Sequence, residues 1–144
     1  MFIRYKRSRA AIFYSSGNKD CHVILRGGSK PNYSKEDIDK TSEILKSNNL
    51  VESIMVDMSH GNSSKQHKKQ LIVCEDIANQ ISSGESRITG VMIESNIEEG
   101  NQSAKDLDNL VYGQSITDAC INWKDTKTCL NQLAESVTAR KNKV

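Results

Sequence analysis

The sequence predicts an α/β fold in which short strands alternate with amphipathic helices around a parallel sheet. Short runs of β-branched and apolar residues recur along the chain, longer stretches with apolar residues at helical spacing separate them, and turn or capping residues fall at the junctions. The 144 residues have the size of one domain, and a composition of 36% hydrophobic and 26% charged residues is that of an ordinary globular chain able to bury a core.

The elements follow in order. Residues 3–7 and 10–14 have the makings of an antiparallel hairpin around Arg7-Ser8-Arg9, although that turn lacks an Asn-Gly or Gly-Gly pair. The first parallel strand is 22–25, closed by Arg26-Gly27-Gly28 and a loop with the chain's one proline, Pro31. Ser34 and Asp37 have capping-box spacing and start a helix over about 35–48, with Ile38, Thr41, Ile44 and Leu45 on one face and an end near Asn48-Asn49. A strand over 53–57, a polar turn over 58–64, and a helix carrying Leu71, Cys74, Ala78 and Ile81 and stopping at Gly84 come next. The third strand is 88–93. Residues 95–114 are polar and without steady period, which inside a compact domain marks a functional or mobile segment covering a site. A short strand over 115–117 leads through Trp123 into a last helix over about 125–141, with Cys129, Leu133 and Val137 inward and a basic end suited to a helix C-terminus. There is no internal repeat and no low-complexity tract.

Charge and cysteine usage exclude several classes. Twenty Lys and Arg stand against 18 Asp and Glu, a net charge of +2, so nothing calls for nucleic acid as a partner. No apolar stretch approaches the roughly 20 residues of a membrane-spanning helix, and the basic start MFIRYKRSRA is not followed by a signal-peptide core. Cys21, Cys74, Cys120 and Cys129 show no CxxC spacing, so neither a zinc site nor a disulfide framework is suggested. A cytoplasmic chain without a membrane partner is the expectation.

The chemically capable residues Arg26, His60, Glu94 and Asp118 all fall at or just past the carboxyl ends of successive predicted strands, the edge where parallel α/β folds build active sites. One imidazole and two carboxylates suit a divalent metal of the manganese, iron, cobalt or zinc kind. Arg26 offers a planar fork for phosphate or carboxylate, and Gly27-Gly28 lets backbone N–H groups approach an anion. Each residue alone has a plainer role, as a hydrogen-bonded loop histidine or a turn aspartate; the shared position argues for the joint reading. Ser63-Ser64-Lys65 suits either phosphate binding or a helix cap. His67 and Lys68-Lys69 read as a solvated helix face, and Arg4, Lys6, Arg7 and Arg9 as a solvated hairpin. A Cys/His nucleophilic pair stays open, although no cysteine sits in a motif that predicts activation.

The stretches GNKDCHVILRGGSKPNYS, MVDMSHGNSSKQHKKQ, GVMIESNIEEGNQ and YGQSITDACINW resemble consecutive motifs of the type I 3-deoxy-7-phosphoheptulonate (DAHP) synthases, from about Ala10 to Arg140. The resemblance implies a TIM (β/α)8 barrel that condenses phosphoenolpyruvate with erythrose 4-phosphate and releases phosphate, the first step of the shikimate pathway to aromatic amino acids. It implies an essential divalent metal, manganese, iron or cobalt, with ligands falling on His60, Glu94 and Asp118, and places Arg26 on the phosphoenolpyruvate phosphate. The family's metal cysteine and its other phosphate-binding residues correspond to positions upstream of this sequence, so no cysteine here inherits the ligand role.

A TIM barrel takes roughly 250 residues. The expectation is therefore the C-terminal half of a barrel, about four βα units over 19–144, preceded by a β-hairpin insertion remnant over 1–18. Unpaired sheet edges and an open apolar face lead such a piece to associate, with an N-terminal barrel half or with further copies of itself, and leave the isolated chain inactive. The alternative is a truncated, non-catalytic remnant acting as an interaction or weak metal-binding module.

Overall fold

A computed structural model of the chain describes residues 2–4, 10–12, 14–18, 20–105 and 107–143. At its start, β1 (Phe2–Arg4) and β2 (Ala10–Ile12) pair antiparallel, Phe2 opposite Ile12 and Arg4 opposite Ala10. The strands are shorter than expected, and the turn Arg7-Ser8-Arg9 lies outside the described residues.

Three βα units follow. Strands β3 (Val23–Leu25), β4 (Ile54–Asp57) and β5 (Ile88–Met92) form a parallel sheet in the order β3-β4-β5. Helices α1 (Lys35–Ser47), α2 (Gln70–Ser82) and α3 (Trp123–Lys141) follow them in turn. None of these is long and apolar enough to cross a membrane. One face of the sheet, Leu25, Ile54, Val56 and Ile88, packs on Ile38 and Leu45 of α1, Val73 and Ile77 of α2, and Cys129 of α3. Fully burying an Ile such as Ile38 or Ile54 stabilises by about 1.5–3 kcal/mol. The opposite face carries the row Ile24, Met55 and Gly90 across the three strands. That row lies open, with Ile24 43% exposed.

Local chemistry fixes the helix ends. Ser34 accepts from the Asp37 amide while the Asp37 carboxylate accepts from Ser34 N–H, the expected capping box. At the other end of α1, Leu50 N–H donates to Leu45 and Asn49 N–H to Lys46, a Schellman closure with Asn49 left-handed at φ 55°. Helix α2 closes the same way, Glu85 N–H on Gln80 and Gly84 N–H on Ile81.

Two expectations are corrected. Ile44 does not face inward: it is 56% exposed, because the buried stripe of α1 runs through Ile38, Ser42 and Leu45, and Ser42 donates to the Glu52 carboxylate. Residues 115–117 form no strand, so three βα units rather than four contribute strands. The Ser115 hydroxyl accepts from Thr117 N–H at 3.1 Å, a local turn that competes with a sheet ladder, and the segment is held by single bridges, Asn101 to Ser115, Gly100 to Cys120 and Ser95 to Ile121.

The amino edge of the sheet holds a charged strut. Arg87, just before β5, donates to Glu85 from Nε at 2.8 Å and from Nη2 at 2.5 Å, and reaches Asp39 of α1 at 2.5 Å. Arg140 of α3 donates to the Glu85 carbonyl at 2.7 Å. The Arg87 guanidinium holds the Glu85 and Asp39 carboxyls below the usual carboxylate range.

Two outcomes are expected. Asn49→Ala lowers stability by about 1 kcal/mol and Asn49→Gly leaves it unchanged in urea unfolding, because only a Cβ-bearing residue without a local hydrogen-bonding side chain resists the left-handed cap. Because the strut carboxyls are depressed in the folded state, their contribution is complete above the ordinary carboxylate range and is lost as pH falls through the depressed values. Arg87→Met therefore destabilises the chain at neutral pH and flattens the acid limb of its stability curve, read as urea midpoints against pH.

Candidate metal centre

The three carboxyl strand ends are brought together by two loops that cross in contact. A Cβ built on Gly27 would meet Gly61 C and Asn62 N at 2.6 Å, and one on Gly61 would meet Gly27 C at 2.6 Å. Only two glycines permit this approach, and Gly27 is left-handed at φ 72°. Gly61 N–H donates to the Arg26 carbonyl at 3.1 Å. Beneath the crossing, buried Asn62 donates from Nδ2 to the Leu25 carbonyl at 3.0 Å and the Asp57 carbonyl at 2.7 Å. Its Oδ1 accepts from Asn32 N–H at 2.9 Å, and Asn32 Oδ1 accepts from Gly27 N–H at 2.7 Å. This amide chain satisfies the polar groups that the ends of β3 and β4 leave over.

His60 sits just beyond that bracket, left-handed at φ 47°, a conformation uncommon for a residue with a Cβ and maintained only where the surroundings determine it. What determines it here is Asp57, fully buried at the end of β4. Its Oδ1 accepts from Ser59 N–H at 2.8 Å, its Oδ2 lies 2.7 Å from His60 Nδ1, and Arg26 Nε stands 3.8 Å from the same oxygen. With Asp57 as acceptor Nδ1 is the donor, and in the neutral ring the lone pair then falls on Nε2. Nε2 faces Glu94 Oε1 at 3.4 Å and Asp118 Oδ2 at 3.9 Å.

Glu94 is held from two sides. Ser59 Oγ donates to its Oε2 at 2.5 Å. Buried Gln70, the first residue of α2, pairs with its backbone, Glu94 N–H donating to Oε1 at 2.9 Å and Nε2 donating to the Glu94 carbonyl at 3.1 Å. Asp118 is different: its side chain is 75% exposed.

One ligand atom each from His60, Glu94 and Asp118 lie within 4.8 Å of one another. Ligands about 2.1 Å from a shared ion are at most about 4.2 Å apart, so sub-ångström adjustment closes the group on a cation. Two neighbouring carboxylates repel each other without such a charge between them. The residues fit a divalent ion. They line a pocket of about 200 Å³ with Arg26, Ser59 and Lys65, so cationic side chains share its wall with the ligating group.

All four residues read from the sequence, Arg26, His60, Glu94 and Asp118, thus meet at one pocket. Three expectations around them change. Ser63 and Ser64 do not cap α2, which begins at Gln70 after a 3-10 turn over His67–Lys69; Ser63 is buried, and Lys65 lines the pocket. Lys68 is not simply solvated, since it pairs with Glu99 and with Asp125. The cysteine nearest the site, Cys120, has its thiol pushed up by burial, opposed by a Ser115 hydrogen bond and reinforced by Glu94 and Asp118, which is not the setting of an activated nucleophile. Sequence reasoning missed Asp57, Asn62, Gln70 and Gly61. Asp57 alone left a signal, an acid ending an apolar strand three residues before the histidine.

Fold and site together define a class: an α/β chain whose parallel sheet presents a potential metal-ligating group at its carboxyl edge. Residues 4–131 match the DAHP synthetase I family, and the chain belongs to that family. It is 52% identical over 136 residues to the Phe-sensitive phospho-2-dehydro-3-deoxyheptonate aldolase of Escherichia coli K12, covering 94% of this chain and 39% of that protein. Against the phospho-2-dehydro-3-deoxyheptonate aldolase of Haemophilus influenzae the identity is 50% over 137 residues, covering 94% of this chain and 38% of the other. The solved structure of the Francisella tularensis SCHU S4 phospho-2-dehydro-3-deoxyheptonate aldolase superposes with a TM-score of 0.86 at 45% identity, over 97% of this chain and 41% of that one. The chain therefore spans about two fifths of the length of the relatives it matches.

Asp57→Asn is expected to weaken divalent-metal affinity by about 10- to 100-fold without unfolding the chain, because it removes the charge that orients and polarises His60; calorimetric titration with Mn²⁺ checks it.

Proposed function

We propose that the chain supplies the metal centre and part of the phosphate-binding wall of a 3-deoxy-7-phosphoheptulonate synthase, condensing phosphoenolpyruvate with erythrose 4-phosphate and releasing phosphate at the entry to the shikimate pathway. The observation that carries this reading is the convergence of His60, Glu94 and Asp118 within 4.8 Å, in a chain that belongs to the family. His60 Nε2 and one carboxylate oxygen each from Glu94 and Asp118 would hold a manganese, iron or cobalt ion. Such an ion supplies Lewis-acid polarisation of an aldehyde oxygen.

The chain's own residues do the rest of the local work. Asp57 accepts from Nδ1 of His60, the tautomer of the neutral ring that offers Nε2 to a metal. Ser59 and Gln70 fix the Glu94 carboxylate and backbone. Arg26 presents a fork toward the pocket for the phosphoenolpyruvate phosphate, with Lys65 as a second cation on the same wall.

In this reading residues 19–144 are the C-terminal half of a TIM barrel and residues 1–18 a hairpin insertion remnant beside it. Strands β3 and β5 are sheet edges, and the Ile24, Met55 and Gly90 row awaits cover, which an N-terminal barrel half or a second copy of the chain would provide. Four free cysteines support a reducing, cytoplasmic setting. A second reading, a non-catalytic interaction or weak metal-binding module, is favoured by the group itself: it offers three ligands, and no cysteine joins it among the described residues.

The deciding experiment measures phosphate release from phosphoenolpyruvate and erythrose 4-phosphate with Mn²⁺, for the chain alone and mixed with a family N-terminal half. Turnover in the mixture, abolished by His60→Ala or Glu94→Gln, is the expected result. Turnover by the chain alone shows a self-completed site, and silence in both favours the module.

A further inference from the structure

We infer that Lys68 is a positioning residue for Asp118, acting through a clamp on Glu99 that fixes the chain at Gly100, Asn101 and the limb from Thr117 to Cys120. The inference rests on the reading of His60, Glu94 and Asp118 as a metal site. Lys68 lies on the 3-10 turn leading into α2, and its ammonium contacts the Glu99 carboxylate and, at 2.9 Å, Asp125 in the first turn of α3. Asn122, which caps α3, donates from Nδ2 to the same Glu99 oxygen at 3.1 Å. The Glu99 carbonyl accepts from Gln114 Nε2 at 2.8 Å. Glu99 is thus tied to both helices and to the far limb of its own segment.

The two residues after Glu99 grip the chain on either side of Asp118. Gly100 exchanges both backbone hydrogen bonds with Cys120, at 2.8 and 3.1 Å, and Asn101 Nδ2 donates to the Thr117 carbonyl at 2.8 Å. Asp118 occupies the tip between these two hooks. Its carboxylate is 75% exposed, and among the described residues its one ion-pair contact is His60, 3.9 Å away. Its place is therefore set by backbone bridged next to Glu99 and, further back, at Ser95 to Ile121, and Lys68 is the cation among the groups that hold Glu99. The neighbouring Gln70 does the equivalent for Glu94, so one turn of chain, 68–70, locates two of the three ligands. Lys68 and Glu99 each stabilise the other's charged form, the amine raised and the carboxyl lowered from their ordinary values. A half-exposed pair of this kind adds little to global stability, so its loss acts locally.

The sign of the expected effect separates positioning from simple charge. Removing a cation near a cation site strengthens metal binding by Coulomb's law; loss of the clamp weakens it. In the full chain, Co²⁺ affinity read from its visible absorption is expected to fall about tenfold in Lys68→Met, to recover in Lys68→Arg, and to hold or rise in the charge control Lys69→Met. Hydrogen-exchange protection of the Gly100 and Cys120 amides is expected to drop about tenfold in Lys68→Met alone. Unchanged protection, or Co²⁺ affinity in Lys68→Met equal to or above that of the parent, overturns the clamp. Failure of the metal reading has a separate signature: the parent chain and His60→Ala take up Co²⁺ alike, and amide protection then decides the clamp by itself.

Discussion

The site depends on one buried charge. Asp57 ends the central strand with its carboxylate out of contact with water, a placement that costs several kcal/mol unless the charge is paired and hydrogen-bonded. The chain meets that demand with Ser59 N–H, the His60 imidazole and the nearby Arg26 guanidinium. Each partner is a piece of the site. Satisfying Asp57 turns His60 into its left-handed conformation, aims Nε2 at Glu94 and Asp118, and draws Arg26 to the same pocket, so the electrostatic requirement of the fold and the geometry of the candidate site are one arrangement.

The two edges of the sheet divide the labour. At the amino edge, Arg87, Glu85, Asp39 and Arg140 make mutually satisfied contacts that join β5 to α1 and α3. At the carboxyl edge, charges of both signs are collected around a cavity, with His60, Ser64 and Lys65 all left-handed between β4 and α2. Three left-handed residues gathered after β4 and a salt-bridged strut at the amino edge fit the general rule for parallel α/β barrels, in which activity sits at the carboxyl ends of strands and stability at the opposite end.

Much of this was legible in the sequence because it is local. The capping box at Ser34, the Asn49 and Gly84 helix stops and the three parallel strands follow from spacing and turn chemistry within a few residues. The four site residues were legible because strand ends mark the edge where they gather. What escaped was set by distant partners. The supposed strand at 115–117 lost to a Ser115-Thr117 turn and to bridges from residues 100–101, and Ile44 lost its inward place to Ser42, whose hydroxyl has a carboxylate partner in Glu52. Gln70, Asn62 and Lys68 read as ordinary polar residues, since nothing in their neighbourhood announces contacts with Glu94, Leu25 or Glu99.

The Gly27 and Gly61 crossing also bears on the order of events when the chain folds. The two loops meet across the whole of α1, and neither contact exists until β3 and β4 have paired and the intervening helix has docked. Closing so long an excursion is entropically slow compared with forming the helices on either side. The pocket is therefore built from non-local contacts, and it needs both strands and the helix between them in place before its walls can meet.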